Sequence, residues 1–94
     1  MSYFVYIISN ERHTVLYTGV TNNITRRMFE YKTRKNHGFA YKYNCDQLLY
    51  FEEYSSIIEA IAREKELKKF RRDWKEQLIS RTNPAWIDLS KDYW

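Results

Sequence analysis

Residues 3–19, YFVYIISNERHTVLYTG, hold two runs of β-branched and aromatic side chains separated by a few polar residues. Such side chains fit the pleated, half-buried surface of a sheet better than a helix. YFVYIIS (3–9) and TVLYTG (14–19) are therefore predicted strands. NERH between them is too short for a parallel crossover, which needs roughly a dozen residues, so the two strands must form an antiparallel hairpin. Everything that follows has to pack on that hairpin.

The remaining elements follow from caps and periodicity. Asn22 and Asn23 offer helix N-caps, and ITRRMFEYKTR (24–34) reads as a helix. KNHGFAYKYNCD is irregular or holds one short turn, and QLLYFEEY (47–54) is a third strand. SSIIEAIAREKELKKFRR opens on a serine cap and reads as a long helix to about Phe70. DWKEQLIS begins with Asp73 as a cap and forms a last helix; Pro84 then makes NPAWIDL a loop. The order β-β-α-β-α-α gives an α+β fold, one domain over residues 1–94.

Composition narrows the chemistry. Sixteen Lys and Arg against twelve Asp and Glu give a net charge of +4, which fits a polyanionic partner without proving one. One cysteine, Cys45, excludes an internal disulfide and a cysteine-only metal site, and suits a reducing compartment. The chain opens on a short apolar run with no basic start, and no run approaches the ~18 apolar residues of a membrane span. The expectation is a soluble cytoplasmic protein. His13 and His37 are too few for a metal cluster and read as surface residues; Cys45 reads as inert. No Walker loop, dinucleotide fingerprint or serine-nucleophile motif is present.

Five positions stand out from simple packing. With the hairpin turning at Glu11 and Arg12, Tyr6 falls opposite Tyr17, either as an aromatic cross-strand pair or as part of a site. Gly19, at a strand end, marks a close approach, here by a ligand. On the following helix Ile24, Met28 and Tyr31 form the apolar stripe; Arg27 sits on its edge and Arg26 points to the far side. Arg27 can reach a phosphate, or snorkel into a salt bridge. On the long helix Ile57, Ala60, Ile61 and Leu67 define the apolar face, and Glu64 falls in its middle with Lys68 one turn on. A carboxylate there is either half of an i,i+4 pair or a ligand for a hard cation. KELKKFRRDWK (65–75) is a basic stretch with aromatic interruptions, read equally as a phosphate-contacting surface or a solvated helix face.

FVYII, LYTGVTNNITRR, AIAREKELK and NPAW, in that order, resemble the GIY-YIG endonuclease superfamily, most of all its small standalone bacterial members. The resemblance runs over nearly the whole chain. Phe4-Val5-Tyr6 matches the first triplet and Tyr17-Thr18-Gly19 the second. The family arginine matches Arg27, its metal-binding glutamate Glu64, and its C-terminal asparagine, by a looser alignment, Asn83. Three positions depart: Phe4 replaces the triplet glycine, Val20 stands where some relatives carry lysine, and Tyr31 where several carry histidine. The resemblance implies a three-stranded antiparallel sheet flanked by helices, and hydrolysis of nucleic-acid phosphodiester bonds, DNA foremost, with Mg²⁺ or Mn²⁺. It further implies that Glu64 holds the metal, that Arg27 neutralises the phosphate, and that Tyr17 or Tyr6 positions or deprotonates the water. Gly19 would admit a phosphodiester or the neighbouring backbone, and Lys42 would stand in for the missing lysine. The alternatives are a nucleic-acid-binding module with weak or lost turnover, or an interaction protein whose aromatics only pack. No obligate protein partner and no membrane is expected.

Overall fold

The computed structural model describes residues 1–33 and 38–92. His37, and Arg34 as the last residue of the expected first helix, lie outside them. In chain order the elements are β1 (Tyr3–Ser9), β2 (Leu16–Thr21), α1 (Ile24–Lys32), α2 (Phe39–Lys42), β3 (Gln47–Tyr54), α3 (Ile57–Lys68), α4 (Arg72–Thr82) and a closing 3₁₀ turn, Leu89–Asp92. The three strands form an antiparallel sheet in the order β2-β1-β3. The α+β architecture read from the sequence is the one found. The short helix α2 lies inside the stretch expected to be irregular or to hold one short turn.

The hairpin register differs from the expectation by two residues. Tyr6 faces Gly19, and Tyr17 faces Ile8. The turn is longer than Glu11–Arg12 alone, because the Asn10 side chain organises it. Its Oδ1 accepts hydrogen bonds from the Thr14 and Val15 amides at 2.9 and 3.0 Å, and His13 adopts a φ of 58°. An even shift keeps every side chain on its own face, so the facial assignment survives.

The central strand β1 is buried from Val5 to Ser9 and divides the core in two. Tyr6 and Ile8 face one way and pack with Met28 and Tyr31 of α1, Ala40, Cys45 and Leu48. Ile7 and Val5 face the other way, toward Ile79 of α4 and Ala60 and Leu67 of α3. A bulge in the β1–β3 pairing between Ile7 and Ile8 lets the consecutive Leu49 and Tyr50 both serve the Ile7 cluster, while Leu48 packs with Ile8.

Helix ends obey local chemistry in two of three long helices. Asn23 caps α1, its Oδ1 accepting from the Arg26 amide at 3.0 Å, and Ser56 caps α3. For α4 the expectation was wrong: the N-cap is Arg71, without a side-chain bond, and Asp73 sits inside the first turn, where its carboxylate favours the helix dipole. On α3, Ala60 and Leu67 are buried as expected, but Ile57 and Ile61 are 44% and 37% exposed. A helical wheel fixes a direction but not how the axis tilts across the sheet. Contact runs along the Ala60–Leu67 line, and the first turns overhang.

The chain's end is tied to β3 by buried polar side chains. Asn83 Nδ2 donates to the Leu49 and Ile87 carbonyls at 3.1 and 2.8 Å, and its Oδ1 accepts from the Ile87 amide. Asp88 accepts from the Leu48 amide at 3.0 Å, from Lys32 Nζ at 2.6 Å and from the Ser90 hydroxyl. These bonds satisfy part of an edge strand that would otherwise be open.

Between β3 and α3 lies a second carboxylate network. Glu52 accepts from Arg63 Nε at 2.9 Å and Nη2 at 3.0 Å, from the Tyr54 hydroxyl at 2.7 Å, and from the Tyr50 hydroxyl. Burial pushes its carboxyl up, but the bonds from Arg63, Tyr50 and Tyr54 outweigh that and hold it below the ordinary range. Burial, and then Glu52, push the Tyr54 phenol up to about 12. Asp88 is lowered in the same way: burial opposes, and Lys32, Ser90 and the Leu48 amide prevail. Groups with depressed folded values stabilise the protein above the ordinary carboxyl range of about 4 and lose that contribution as pH falls through the folded values. Glu52→Gln is therefore expected to cost about 2–3 kcal/mol at neutral pH, the scale of hydrogen bonds to a charged group, and to shrink the loss of stability on acidification. Thermal melts of both proteins at pH 7 and pH 3 measure this; parallel acid limbs would exclude the assignment.

Candidate active site

The Tyr6 face of the sheet carries a cluster of hydroxyls around one cation. Tyr6 comes from the central strand, Tyr17 from β2, and Arg27 and Tyr31, one turn apart, from α1. The Tyr6 and Tyr31 hydroxyls share a hydrogen bond of 2.7 Å, with their rings edge to face at 6.2 Å. Tyr6 is 1% exposed. Burial, then Tyr31, raises the Tyr6 phenol far above its ordinary range; Arg27 offsets this only in part. Burial also raises Tyr31. Tyr17 is close enough to act on both and is only half-buried.

Arg27 sits where the helix stripe meets solvent, as the wheel expected, and Arg26 is exposed. The guanidinium lies beside the Tyr6 and Tyr31 hydroxyls, with the Glu30 carboxylate 3.6 Å from Nε. That is too long for a hydrogen bond, and Nε is buried without a hydrogen-bond acceptor among the described residues. A buried donor without a partner is costly, and its usual explanation is a missing ligand or water.

Gly19 has a different neighbour from the one expected. A Cβ at this position would lie 2.4 Å from the Tyr6 hydroxyl oxygen and 2.5 Å from the ring carbon bearing it. The close approach is by the Tyr6 ring, and Gly19 is the floor on which that ring lies. Tyr6 is enclosed and cannot swing away. Gly19→Ala should therefore cost about 1–3 kcal/mol through overpacking and break the Tyr6–Tyr31 bond. In a Tyr6→Leu background the same change should cost little further, so a double-mutant cycle of unfolding free energies tests the contact. Additive losses would refute it.

Glu64 belongs to α3, which packs on the Val5–Ile7 face, not on the tyrosine face. Its side chain is 15% exposed and its carboxylate meets Lys68 Nζ at 3.0 Å, the pair expected from spacing. Arg63 and Glu64 flank the buried Ala60–Leu67 line about 100° apart. Arg63 leans over β3 to Glu52, and α3 also lies against edge strand β2, which carries Tyr17. Among the described residues no cluster of three or more His, Cys, Asp or Glu could hold a metal ion. One carboxylate remains, which suits a hard cation that keeps most of its water and shares phosphate oxygens.

The other expected residues divide. Lys42 is exposed on α2, with Nζ 5.5 Å over the Tyr43 ring. Asn83 is 4% exposed and its amide is used within the fold, as described above. Phe4 faces the same side as Tyr6 and, with Ile24, Thr25, Met28, Leu48, Phe51, Glu53 and Ser90, lines a cavity of about 340 Å³. His13 packs against Trp86 at 5.3 Å. Cys45 is buried, which pushes its thiol up to about 11 and makes it a poor nucleophile. Sequence reasoning missed Tyr31 as a partner of Tyr6: spacing put it on the core stripe, and only the fold shows where its hydroxyl ends.

Residues 2–77 match the model of the GIY-YIG catalytic domain. A UPF0213 protein of Clostridium perfringens is 38% identical over 81 residues, which covers 82% of each chain. A UPF0213 protein of Staphylococcus haemolyticus is 34% identical over 77 residues, 82% of this chain and 93% of the relative. The solution NMR structure of a UPF0213 protein from Bacillus halodurans aligns with a TM-score of 0.56 at 29% identity, covering 88% of this chain and 87% of that one. No helix among the described residues is long and apolar enough to cross a membrane.

Proposed function

Because the chain belongs to the GIY-YIG catalytic domain family, we propose that it is a metal-dependent endonuclease hydrolysing phosphodiester bonds of nucleic acid, DNA foremost. The observation that carries this reading is the Arg27 guanidinium, set among tyrosine hydroxyls with a buried Nε that lacks an acceptor. A third of the Arg27 side chain stays exposed, so its outer nitrogens can meet phosphate oxygens in the planar geometry that arginine favours.

The residues divide the work by environment. Tyr6 is sealed and strongly disfavoured as a phenolate, so it does not take a proton; with Tyr31 it holds the floor of the site. Tyr17, half-buried on the edge strand, is the hydroxyl able to meet substrate, and it orients the attacking water. Arg27 stabilises charge on the non-bridging oxygens as the water oxygen bonds to phosphorus, passing its proton through the Tyr17 hydroxyl to solvent, and the bond to the leaving oxygen breaks. Glu64 is the group to hold Mg²⁺ or Mn²⁺, which when bound polarises the phosphate and stabilises the leaving oxygen. The cation would take the place of Lys68, whose own side chain is 49% exposed and free to turn to solvent. Lys42 adds phosphate attraction at the margin.

The test is a cleavage screen over flapped, branched, single-stranded and duplex DNA and RNA with Mg²⁺ or Mn²⁺. Metal-dependent products are expected, and Tyr17→Phe should lower their rate by about 10²–10⁴, the range for a lost proton-handling group. Nucleic acid bound without any cleavage would leave a binding module in place of an enzyme.

A further inference from the structure

Helix α2 and the residue after it invert the usual sorting of side chains. From Phe39 to Tyr43 only Ala40 is buried, while Phe39, Tyr41 and Tyr43 are 49%, 41% and 39% exposed. A core would have taken the large rings and left alanine outside. The exposed rings are ordered. Phe39 stacks on Tyr17 with centroids 5.6 Å apart and planes 22° off parallel, and meets Tyr43 at 4.6 Å. Lys42 sits over Tyr43, and residues 38–45 contain no acidic group. The row begins at the candidate catalytic tyrosine and runs outward into solvent.

We propose that Phe39 and Tyr43 form a stacking platform for unpaired nucleobases beside the phosphodiester held by Arg27 and Tyr17, so that the substrate is single-stranded next to the cut. Half-exposed aromatic rings beside a lysine bind bases and backbone together, whatever the sequence. In a continuous duplex the bases are already stacked on one another and offer no free face. The proposal rests on the nuclease reading, because it is Tyr17 that joins the platform to the site.

The experiment measures binding without metal, by fluorescence anisotropy, of a labelled short oligothymidylate and of a blunt duplex of the same length. The wild type should prefer the oligothymidylate. Phe39→Ala and Tyr43→Ala should each weaken that binding about tenfold, within the range for loss of one stacked base, and leave duplex binding unchanged. Phe39→Trp should restore it. Both rings are exposed, so melting temperatures should hold, which separates lost stacking from lost folding. Equal losses on both probes, or none, would overturn the platform. Cleavage by the wild type is scored separately. Products together with unaltered binding by Phe39→Ala would leave the nuclease and remove the platform. No products, with the single-strand preference abolished by Phe39→Ala, would remove the nuclease and keep the platform.

Discussion

Glu64→Gln should reduce metal-dependent cleavage by at least about 10², the scale of losing one electrostatic group that acts on the transition state, while the protein stays folded. Glutamine keeps nearly the same volume, so the flank of the Ala60–Leu67 contact is undisturbed. It gives up only the pair to Lys68, whose side chain is 49% exposed. What it removes is the negative charge a hard cation requires, and Glu64 is the one carboxylate proposed to supply it. Melting temperature in the absence of metal should be unchanged or raised, because a largely buried carboxylate no longer has to be desolvated. Glu66→Gln, on the same helix but paired with Arg63, is the control and should retain activity. Added Mg²⁺ should protect the wild type against thermal unfolding more than it protects Glu64→Gln. Equal cleavage by the two variants would show that Glu64 is not the ligand and move the metal elsewhere.

How much of this could be read from the chain depends on whether a feature is local. β3 was read to the residue because QLLYFEEY is bounded by turn chemistry on both sides and its pattern is all its own. The helix starts at Asn23 and Ser56 were legible for the same reason, since a cap is a property of three or four neighbouring residues. The hairpin register was not, because it hinges on the Asn10 side chain reaching across the turn to Thr14 and Val15. The facial assignment tolerated that error only because the slip was even.

Sites are harder because they are made by juxtaposition. Tyr6, Tyr17 and Arg27 were singled out from strand and helix periods together with the motif order, and the structure brings these three together. The role of Gly19 was misread: a strand-end glycine says that something comes close, and only the register says that it is the Tyr6 ring. Asn83 carried over by loose alignment, yet its contacts are main-chain groups of β3 and of its own loop. The Glu52 network had no sequence signal, since Glu52 and Arg63 belong to different elements and meet only when α3 docks on the sheet. Glu64 was placed in the middle of an apolar face with Lys68 one turn on; the structure leaves its side chain 15% exposed and pairs its carboxylate with Lys68 at 3.0 Å.

Arg27 supplies the second large effect. Arg27→Ala should lower cleavage by about 10²–10³ and alter substrate binding far less, because its charge matters most when negative charge builds on the phosphoryl oxygens. The fold should lose little: the Glu30 contact is a half-exposed pair at 3.6 Å, a class worth at most about 1 kcal/mol. The guanidinium's hydrogen bond to Tyr31 goes with the side chain, but so does the buried Nε that lacks an acceptor, and the two offset each other. Arg27→Lys separates charge from shape. Lysine returns a point charge to the same helix edge but not the planar fork, so partial recovery of turnover is expected. Were Arg27 merely a strut between Tyr6 and Tyr31, the outcome would invert. Arg27→Ala would then lower melting temperature and activity together, because Tyr31 would lose its hydrogen bond from the guanidinium. A large fall in kcat at unchanged melting temperature belongs only to a residue that acts on the substrate, and kcat, KM and thermal melts on the three proteins decide between the two.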